Sequence, residues 1–325
     1  MKTAITCGDV NGIGPELILK ALNKIDSNKH SIFFIIPKNV LEFYSEIVPI
    51  QFSYKFVETN TVQTSGGIFI FPLEHTRLEL GVPTAESGRT SFQSIKQALE
   101  LFDKGIIESI VTAPISKKSF EKVGINFPGH TELLADHFGE KNFGMFFAGG
   151  KFNTALLTIH VPLKQVSNLI TYEKLDEFIQ LSLSTLKKDF GIASPKIALL
   201  GLNPHAGENG VISDEEENIF KPVIQKYISK GVEGPFVPDA FFGLKLYKKY
   251  DLIIGCYHDQ VLIPFKMMNF SSGVNFTAGL PVVRTSPDHG TAFDIAGKGI
   301  ADERSFLAAF NLAETIVSNR NLNNQ

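Results

Sequence analysis

Residues 2–22, KTAITCGDVNGIGPELILKAL, read as a strand, a glycine-rich turn and the start of a helix. Lys2–Cys7 is the strand. Gly8, Gly12 and Gly14 permit a tight turn with exposed backbone N–H groups. Pro15 suits a first helical turn, and the helix runs on from Glu16 to Leu22. A dinucleotide fingerprint built on Gly12 and Gly14 would require Gly or Ala at position 17, where Leu17 stands, so that motif is absent. A purely structural turn and a ligand-facing one both fit these residues, because short glycine patterns are unspecific.

The same alternation continues outward. Ser31–Ile36 reads as a buried strand and Asn39–Ile47 as a helix. Phe52–Val57 and Ile68–Phe71 read as strands. Thr84–Asp103 reads as an amphipathic helix with Phe92, Ile95, Ala98, Leu99 and Phe102 on one face. Ser109–Thr112 is a strand leading into Ala113–Lys118. A turn at 127–132 opens a helix through Leu133–Phe138. Further strands are expected at Phe143–Ala148, Asn153–Ile159, Lys196–Gly201 and Asp251–Cys256. Helices are expected at Glu173–Phe190, Pro238–Lys249 and Asp302–Ser318, with a loose polar tail. Ser213 and Glu216 have capping-box spacing, so the acidic run Asp214–Glu217 reads as a solvated first turn. This pattern predicts an α/β fold with a largely parallel sheet.

A chain of 325 residues exceeds one comfortable core, so two lobes are expected. Hydrophobic content of 43% and charged content of 20% are those of an ordinary globular enzyme. The net charge of -3 provides no general basic footprint, so no nucleic-acid partner is expected. Cys7 and Cys256 read as buried reduced thiols, which with the missing signal-peptide core points to the cytoplasm. Apolar runs such as Ile32–Ile36 are too short to span a bilayer, so no membrane partner is expected either.

The polar groups concentrate in residues 250–299, YDLIIGCYHDQVLIPFKMMNFSSGVNFTAGLPVVRTSPDHGTAFDIAGKG. This stretch holds His258-Asp259 and Asp288-His289, with Lys266, Asn275 and Arg284 between them. Arg284 follows an expected strand at Pro281–Val283, and Lys266 follows a short helical or strand segment at Val261–Ile263. Three histidines come directly after expected strands: His160, His205 and His258. Ligands of α/β proteins gather outside the carboxyl ends of strands. Three neutral imidazoles with an open position describe a catalytic site for zinc or a similar divalent cation. Lys266 and Arg284 bring positive charge toward strand ends, where Arg can hold phosphate or carboxylate bidentately. His130 and Thr131 would open a helix, a place suited to anionic groups, with Thr131 alternatively a simple cap.

The segments GDVNGIGPE, TAPISK, FPGHTE, TIHVPL, LNPHAGE, GPFVPD, YHDQ, GVNFTAGLP and RTSPDHGTAFDIAGKG together resemble the 4-hydroxythreonine-4-phosphate dehydrogenases of pyridoxal phosphate biosynthesis, in order and over essentially the whole chain. The resemblance implies an isocitrate/isopropylmalate dehydrogenase-like fold, with two α/β/α lobes and a cleft between them. The lobes are expected at 1–125 plus 290–325 and at 126–289. It implies metal ligands at His160, His205 and His258, and substrate contacts at His130, Thr131, Lys266, Asn275 and Arg284. It implies NAD or NADP as cofactor, a divalent metal (Zn, Mg or Co), and a homodimer whose two chains share each active site. The implied reaction oxidises 4-phosphohydroxy-L-threonine to 2-amino-3-oxo-4-phosphooxybutanoate, which decarboxylates to 3-amino-2-oxopropyl phosphate. For the hydroxyl proton, Asp259, Lys117 and a metal-bound water all qualify. Val261 after YHDQ, Pro287 after RTS and Ala240 after Pro-Asp depart from the usual family pattern. They leave room for a paralogue that oxidises another phosphorylated or carboxylated hydroxy acid. A zinc hydrolase and a non-catalytic metal-binding module are the readings from other classes.

Overall fold

The computed structural model describes residues 1–57 and 66–323; the end of the strand expected at Phe52–Val57 borders the undescribed segment. The elements run β1 (Lys2–Thr6), α1 (Gly14–Leu22), β2 (Ser31–Pro37), α2 (Lys38–Ile47), β3 (Tyr54–Phe56), β4 (Gly67–Leu73), α3 (Ala85–Asp103), β5 (Ser109–Thr112), α4 (Lys117–Glu121) and α5 (His130–Phe138). Then come β6 (Gly144–Ala148), β7 (Thr154–Leu156), α6 (Val166–Leu169), α7 (Tyr172–Lys188), β8 (Ile197–Leu200), α8 (Lys221–Tyr227), β9 (Val232–Phe236), α9 (Pro238–Gly243), β10 (Leu252–Gly255), α10 (His258–Asn269) and β11 (Val274–Ala278). The chain closes with β12 (Val283–Pro287) and α11 (Arg304–Asn323). No described helix is long and apolar enough to cross a membrane.

The chain divides into two units, Met1–His137 with Pro281–Ser318, and Phe138–Leu280 with Asn319–Gln325. The division falls after His137 and Leu280 rather than at the expected 125 and 289. His130, Thr131 and Arg284 therefore belong to the first unit, not the second.

In the first unit the strand order is β3-β4-β2-β1-β5-β12, and every recorded pairing among these strands is parallel. β2 is buried along its whole length, as a central parallel strand covered on both faces must be. α3 carries a capping box: Thr84 Oγ1 accepts from Ser87 N at 3.0 Å, and Ser87 Oγ accepts from Thr84 N at 3.3 Å. Its buried face is less apolar than the expected stripe. Ile95, Ala98 and Leu99 are joined there by Ser87, Ser91 and Ser94. Ser91 Oγ donates to Gly8 O at 2.7 Å and Ser94 Oγ to Ile35 O at 3.0 Å, so hydroxyls satisfy carbonyls where strands end.

In the second unit the order is β11-β6-β7-β10-β8-β9. β6 is antiparallel to both β11 and β7, whereas β7, β10, β8 and β9 pair in parallel. Neither β9 nor β11 is evident from composition, since Glu233, Gly234 and Pro235 interrupt β9 and the polar Asn275 and Thr277 interrupt β11. The core on one side gathers Phe147, Phe152, Phe241, Tyr247, Val261, Leu262 and Phe265. The last three lie on α10, and each fully buried side chain of this kind contributes about 1.5–3 kcal/mol. Val261–Ile263 is thus helical. The helix expected at Pro238–Lys249 is broken at Lys245, whose φ of 59° is left-handed, and a 3-10 turn follows at Leu246–Lys249.

Candidate functional site

In the second unit, β7, β10 and β8 are parallel neighbours in that order, so their carboxyl ends share one edge. His160 follows β7, His205 follows β8, and His258 opens α10 directly after β10. All three side chains are exposed. Two staples join the strand ends beneath them. Thr158 Oγ1 donates to Cys256 O at 2.7 Å, tying β7 to β10. Gln260 Nε2 donates to Gly201 O at 2.7 Å while its Oε1 accepts from Cys256 N at 2.7 Å, tying β8 to β10.

The loops that carry the first two histidines are unusual. His160 has φ 51°, and His205 to Asn209 have φ of 53, 49, 74, 47 and 54°. A non-glycine residue in this region costs roughly 1–2 kcal/mol. The run is held by Ala206 N to Asn203 O at 3.0 Å, Ile212 N to Gly207 O at 3.1 Å and Val211 N to Glu208 O at 3.2 Å. Backbone held in such conformations by its surroundings is typical of functional sites.

His258 Nδ1 lies 2.6 Å from Asp259 Oδ1. A carboxylate on one ring nitrogen fixes the imidazole and leaves Nε2 as the outward donor. Among the described residues, no three His, Cys, Asp or Glu side chains of one chain are grouped to hold a metal. The donor type itself fits a borderline cation such as Zn²⁺ or Co²⁺ better than Mg²⁺, which prefers oxygen. Lys266 on α10 and Asn275 on β11 are half-buried in the same unit.

The acidic run is a correction to the sequence reading. Ser213 does not cap Glu216; its hydroxyl bonds to Glu215 Oε2. Glu216 is 0% exposed, and its Oε1 accepts from Asn203 N at 2.7 Å. A π-turn at Glu216–Phe220 precedes α8 in place of an ordinary first turn.

In the first unit, β1, β5 and β12 are parallel neighbours. Arg284 is the second residue of β12 rather than the residue after a strand, and it is 3% exposed. Its Nη2 and Nε donate to Thr112 Oγ1 at 2.9 and 3.2 Å. Burial pushes the guanidinium down to about 10, with Glu132 opposing, so it stays cationic at neutral pH. His130 opens α5 at 8% exposure. Burial first, and the Arg284 charge second, hold its imidazole well below the usual histidine range, so it is neutral. Its Nε2 is buried without a hydrogen-bond partner. Such an atom costs about 1–3 kcal/mol unless something bonds to it. Thr131, beside it, is buried too.

The glycine-rich turn after β1 resolves toward structure. Asp9, Asn11 and Glu16 are fully buried. Ser119 Oγ donates to Asp9 Oδ2 at 2.6 Å, and burial pushes the Asp9 carboxyl up despite that bond. Asn11 Nδ2 donates to Val82 O at 2.9 Å, and Glu79 N donates to Asn11 Oδ1 at 2.9 Å. Glu16 accepts from Ala301 N at 2.8 Å and Gly299 N at 3.2 Å. The turn therefore fastens the segments around 79–84, 114–119 and 299–301. Lys117, exposed, opens α4 behind the Ser116 cap. Thr112 and Gln260 gave no signal of their own in the sequence, and Glu216 signalled a helix cap instead of a buried carboxylate. Gln260 was visible only as the glutamine of YHDQ.

Residues 28–313 match the family model described as pyridoxal phosphate biosynthetic protein PdxA. A 4-hydroxythreonine-4-phosphate dehydrogenase of Sulfurihydrogenibium sp. (strain YO3AOP1) is 39% identical over 315 residues, covering 96% of this chain and 97% of that protein. A putative D-threonate 4-phosphate dehydrogenase of Oceanobacillus iheyensis is 39% identical over 321 residues, covering 95% and 96%. The solved structure of a putative 4-hydroxythreonine-4-phosphate dehydrogenase from Salmonella typhimurium superposes with a TM-score of 0.84 at 36% identity, covering 97% and 99%. Isocitrate dehydrogenase from Methylococcus capsulatus shares the fold alone, at a TM-score of 0.54 and 12% identity, covering 98% and 86%.

Proposed function

Because the chain belongs to the PdxA family of pyridoxal phosphate biosynthetic proteins, we propose that it is a 4-hydroxythreonine-4-phosphate dehydrogenase of the vitamin B6 pathway. It oxidises 4-phosphohydroxy-L-threonine with NAD or NADP as hydride acceptor. The β-keto acid formed, 2-amino-3-oxo-4-phosphooxybutanoate, loses carbon dioxide to give 3-amino-2-oxopropyl phosphate. The observation that carries the reading is the buried cation Arg284 beside a neutral His130 with an unpartnered Nε2. A cation and a neutral hydrogen-bonding ring suit a phosphorylated or carboxylated hydroxy compound.

Arg284 supplies the charge for the substrate anion, and Thr112 holds its guanidinium in place. His130 and Thr131 bond substrate oxygens, and Lys266 and Asn275 add a second cation and an amide. His160, His205 and His258 hold the divalent cation, zinc or cobalt before magnesium on donor chemistry. When bound, that cation would stabilise negative charge on the substrate hydroxyl oxygen while the hydrogen on the carbon bearing it leaves as hydride to NAD(P)⁺ and the hydroxyl proton goes to a base. Asp259 orients His258 through Nδ1, and Asp259 and Lys117 are the side-chain candidates to take the hydroxyl proton. The enzyme works in the cytoplasm, in keeping with two free, buried cysteines.

The working form is a homodimer that shares its metal site. Three exposed histidines on one sheet edge, with no complete ligand group in one chain among the described residues, support that arrangement. Mixing His160→Ala with His258→Ala protomers should restore activity to about one site in each mixed dimer. Continued inactivity with subunit exchange confirmed would place all ligands in one chain.

The Oceanobacillus relative supports a second reading, D-threonate 4-phosphate as substrate. The two substrates share the phosphate and the hydroxyl to be oxidised and differ at C2, where one carries nitrogen and the other oxygen. Turnover of both with NAD⁺ and NADP⁺, before and after chelation, tests the proposal. Chelator-sensitive NAD(P)H formation from 4-phosphohydroxy-L-threonine is expected, and its absence would overturn the assignment.

A further inference from the structure

Glu216 is a buried carboxylate that the dehydrogenase reaction does not itself use. Among the described residues no Lys, Arg or His pairs with it. Its partners are the two nitrogens of Asn203: Oε1 accepts from the backbone N at 2.7 Å and Oε2 from Nδ2 at 3.0 Å. Asn203 is the residue that leads into the turn Pro204–Gly210, on which His205 stands. The carboxylate also fills the space beneath that turn. A Cβ built on Gly207 would come within 2.7 Å of Glu216 Oε2, and one on Gly201 within 3.3 Å of Oε1. The two glycines are therefore where the backbone closes over the carboxylate. The π-turn from Glu216 to Phe220, whose phenyl ring is fully buried, anchors the acid. Turns of this kind recur at functional sites. Glu215 adds a second hold, since its Oε2 accepts from the same Asn203 Nδ2 at 3.0 Å.

A core position so enclosed would ordinarily take an apolar side chain, because an unpaired buried carboxylate carries a desolvation penalty. We propose that Glu216 is a positioning residue for His205, fixing the left-handed turn so that the imidazole is presented ready to ligate. The proposal rests on His205 being a metal ligand. Ligand-orienting partners of this sort change metal affinity by about 10–100-fold when removed.

The test uses the full-length protein with Co²⁺ as the probe, followed by its visible absorption. Amide hydrogen exchange across residues 203–212 is measured on the metal-free protein. The variants are Glu216→Gln, Glu216→Ala and His205→Ala. Glu216→Gln keeps the size of the side chain but turns one acceptor into a donor facing Asn203 Nδ2. It should bind Co²⁺ about tenfold more weakly, exchange faster in the turn, and melt near the wild-type temperature. Glu216→Ala, where it folds, should show a larger loss of the same kind. Wild-type Co²⁺ affinity in Glu216→Gln, with affinity abolished in His205→Ala, overturns the positioning role and leaves the metal site standing. Wild-type affinity in His205→Ala overturns the metal reading and the proposal together.

Discussion

The carboxyl edges of the two sheets are built on opposite plans. In the first unit Arg284, His130 and Thr131 are buried, and a strand and a helix start hold them. In the second unit His160, His205 and His258 are exposed, two of them on left-handed backbone. The first plan suits an anion, which needs a fixed charge in a desolvated place where Coulomb attraction is strong. The second suits a metal cation, which exposed neutral imidazoles are free to reach. Each edge is rigid where its task demands it: in the side chains of the first, and in the backbone beneath the side chains of the second.

The largest effect expected from breaking this contrast lies on the second edge. Replacing any one of the three histidines with Ala should remove bound metal, measured by elemental analysis, and lower turnover by about 10³-fold, several kcal/mol of charge stabilisation. One variant that keeps its metal would remove that histidine from the set. Arg284→Ala comes next. It should raise the substrate KM by roughly 30- to 1000-fold, the 2–4 kcal/mol range for an interaction with a buried charge. Metal content should not change, and an unchanged KM would show that the anion is held elsewhere.

The smallest expected effect sharpens the burial argument. The folded-state pKa of His130 is depressed, so below about pH 6.5 the unfolded chain takes up a proton that the folded chain refuses. This contribution to stability is intact above about pH 6.5 and falls as pH drops, by at most about 1.4 kcal/mol per pH unit. His30 behaves in the same direction, burial outweighing Glu314. Urea midpoints at pH 7 and pH 5 should therefore differ less in His130→Gln than in the wild type, while His30 keeps part of the slope. An equal difference would mean that His130 is solvated.

The alternation of strands and helices was legible because β1, β2 and β10 are short apolar runs followed by turn residues, a local signal. β9 and β11 were not legible, since the partners that make Val232–Phe236 and Val274–Ala278 strands lie far away in sequence. Arg284 stood out as a candidate anion binder, but its strand was placed too early because Pro281 and Val282 look like strand residues. Glu216 was misread because a Ser-x-x-Glu spacing signals a helix start in isolation. The Asn203 amides that claim the carboxylate come from the end of another strand. Residue types announced the chemistry of the site, whereas the side chains that brace it became visible only from their partners.

The seat of Glu16 has a consequence for how the protein is made. Its carboxylate is closed off from water and receives amides from Gly299 and Ala301, nearly the whole chain away. A chain emerging from the ribosome delivers Glu16 near the start of synthesis and its donors almost at the end. The first unit thus waits, open at α1, while residues 138–280 are translated, and that middle segment has time to fold before its host is complete. Chains cut short before residue 299 would leave Glu16 with Lys20, 2.9 Å away in the same helix, but without its two amide donors. Quality control would meet them as unfinished first units around a finished insert.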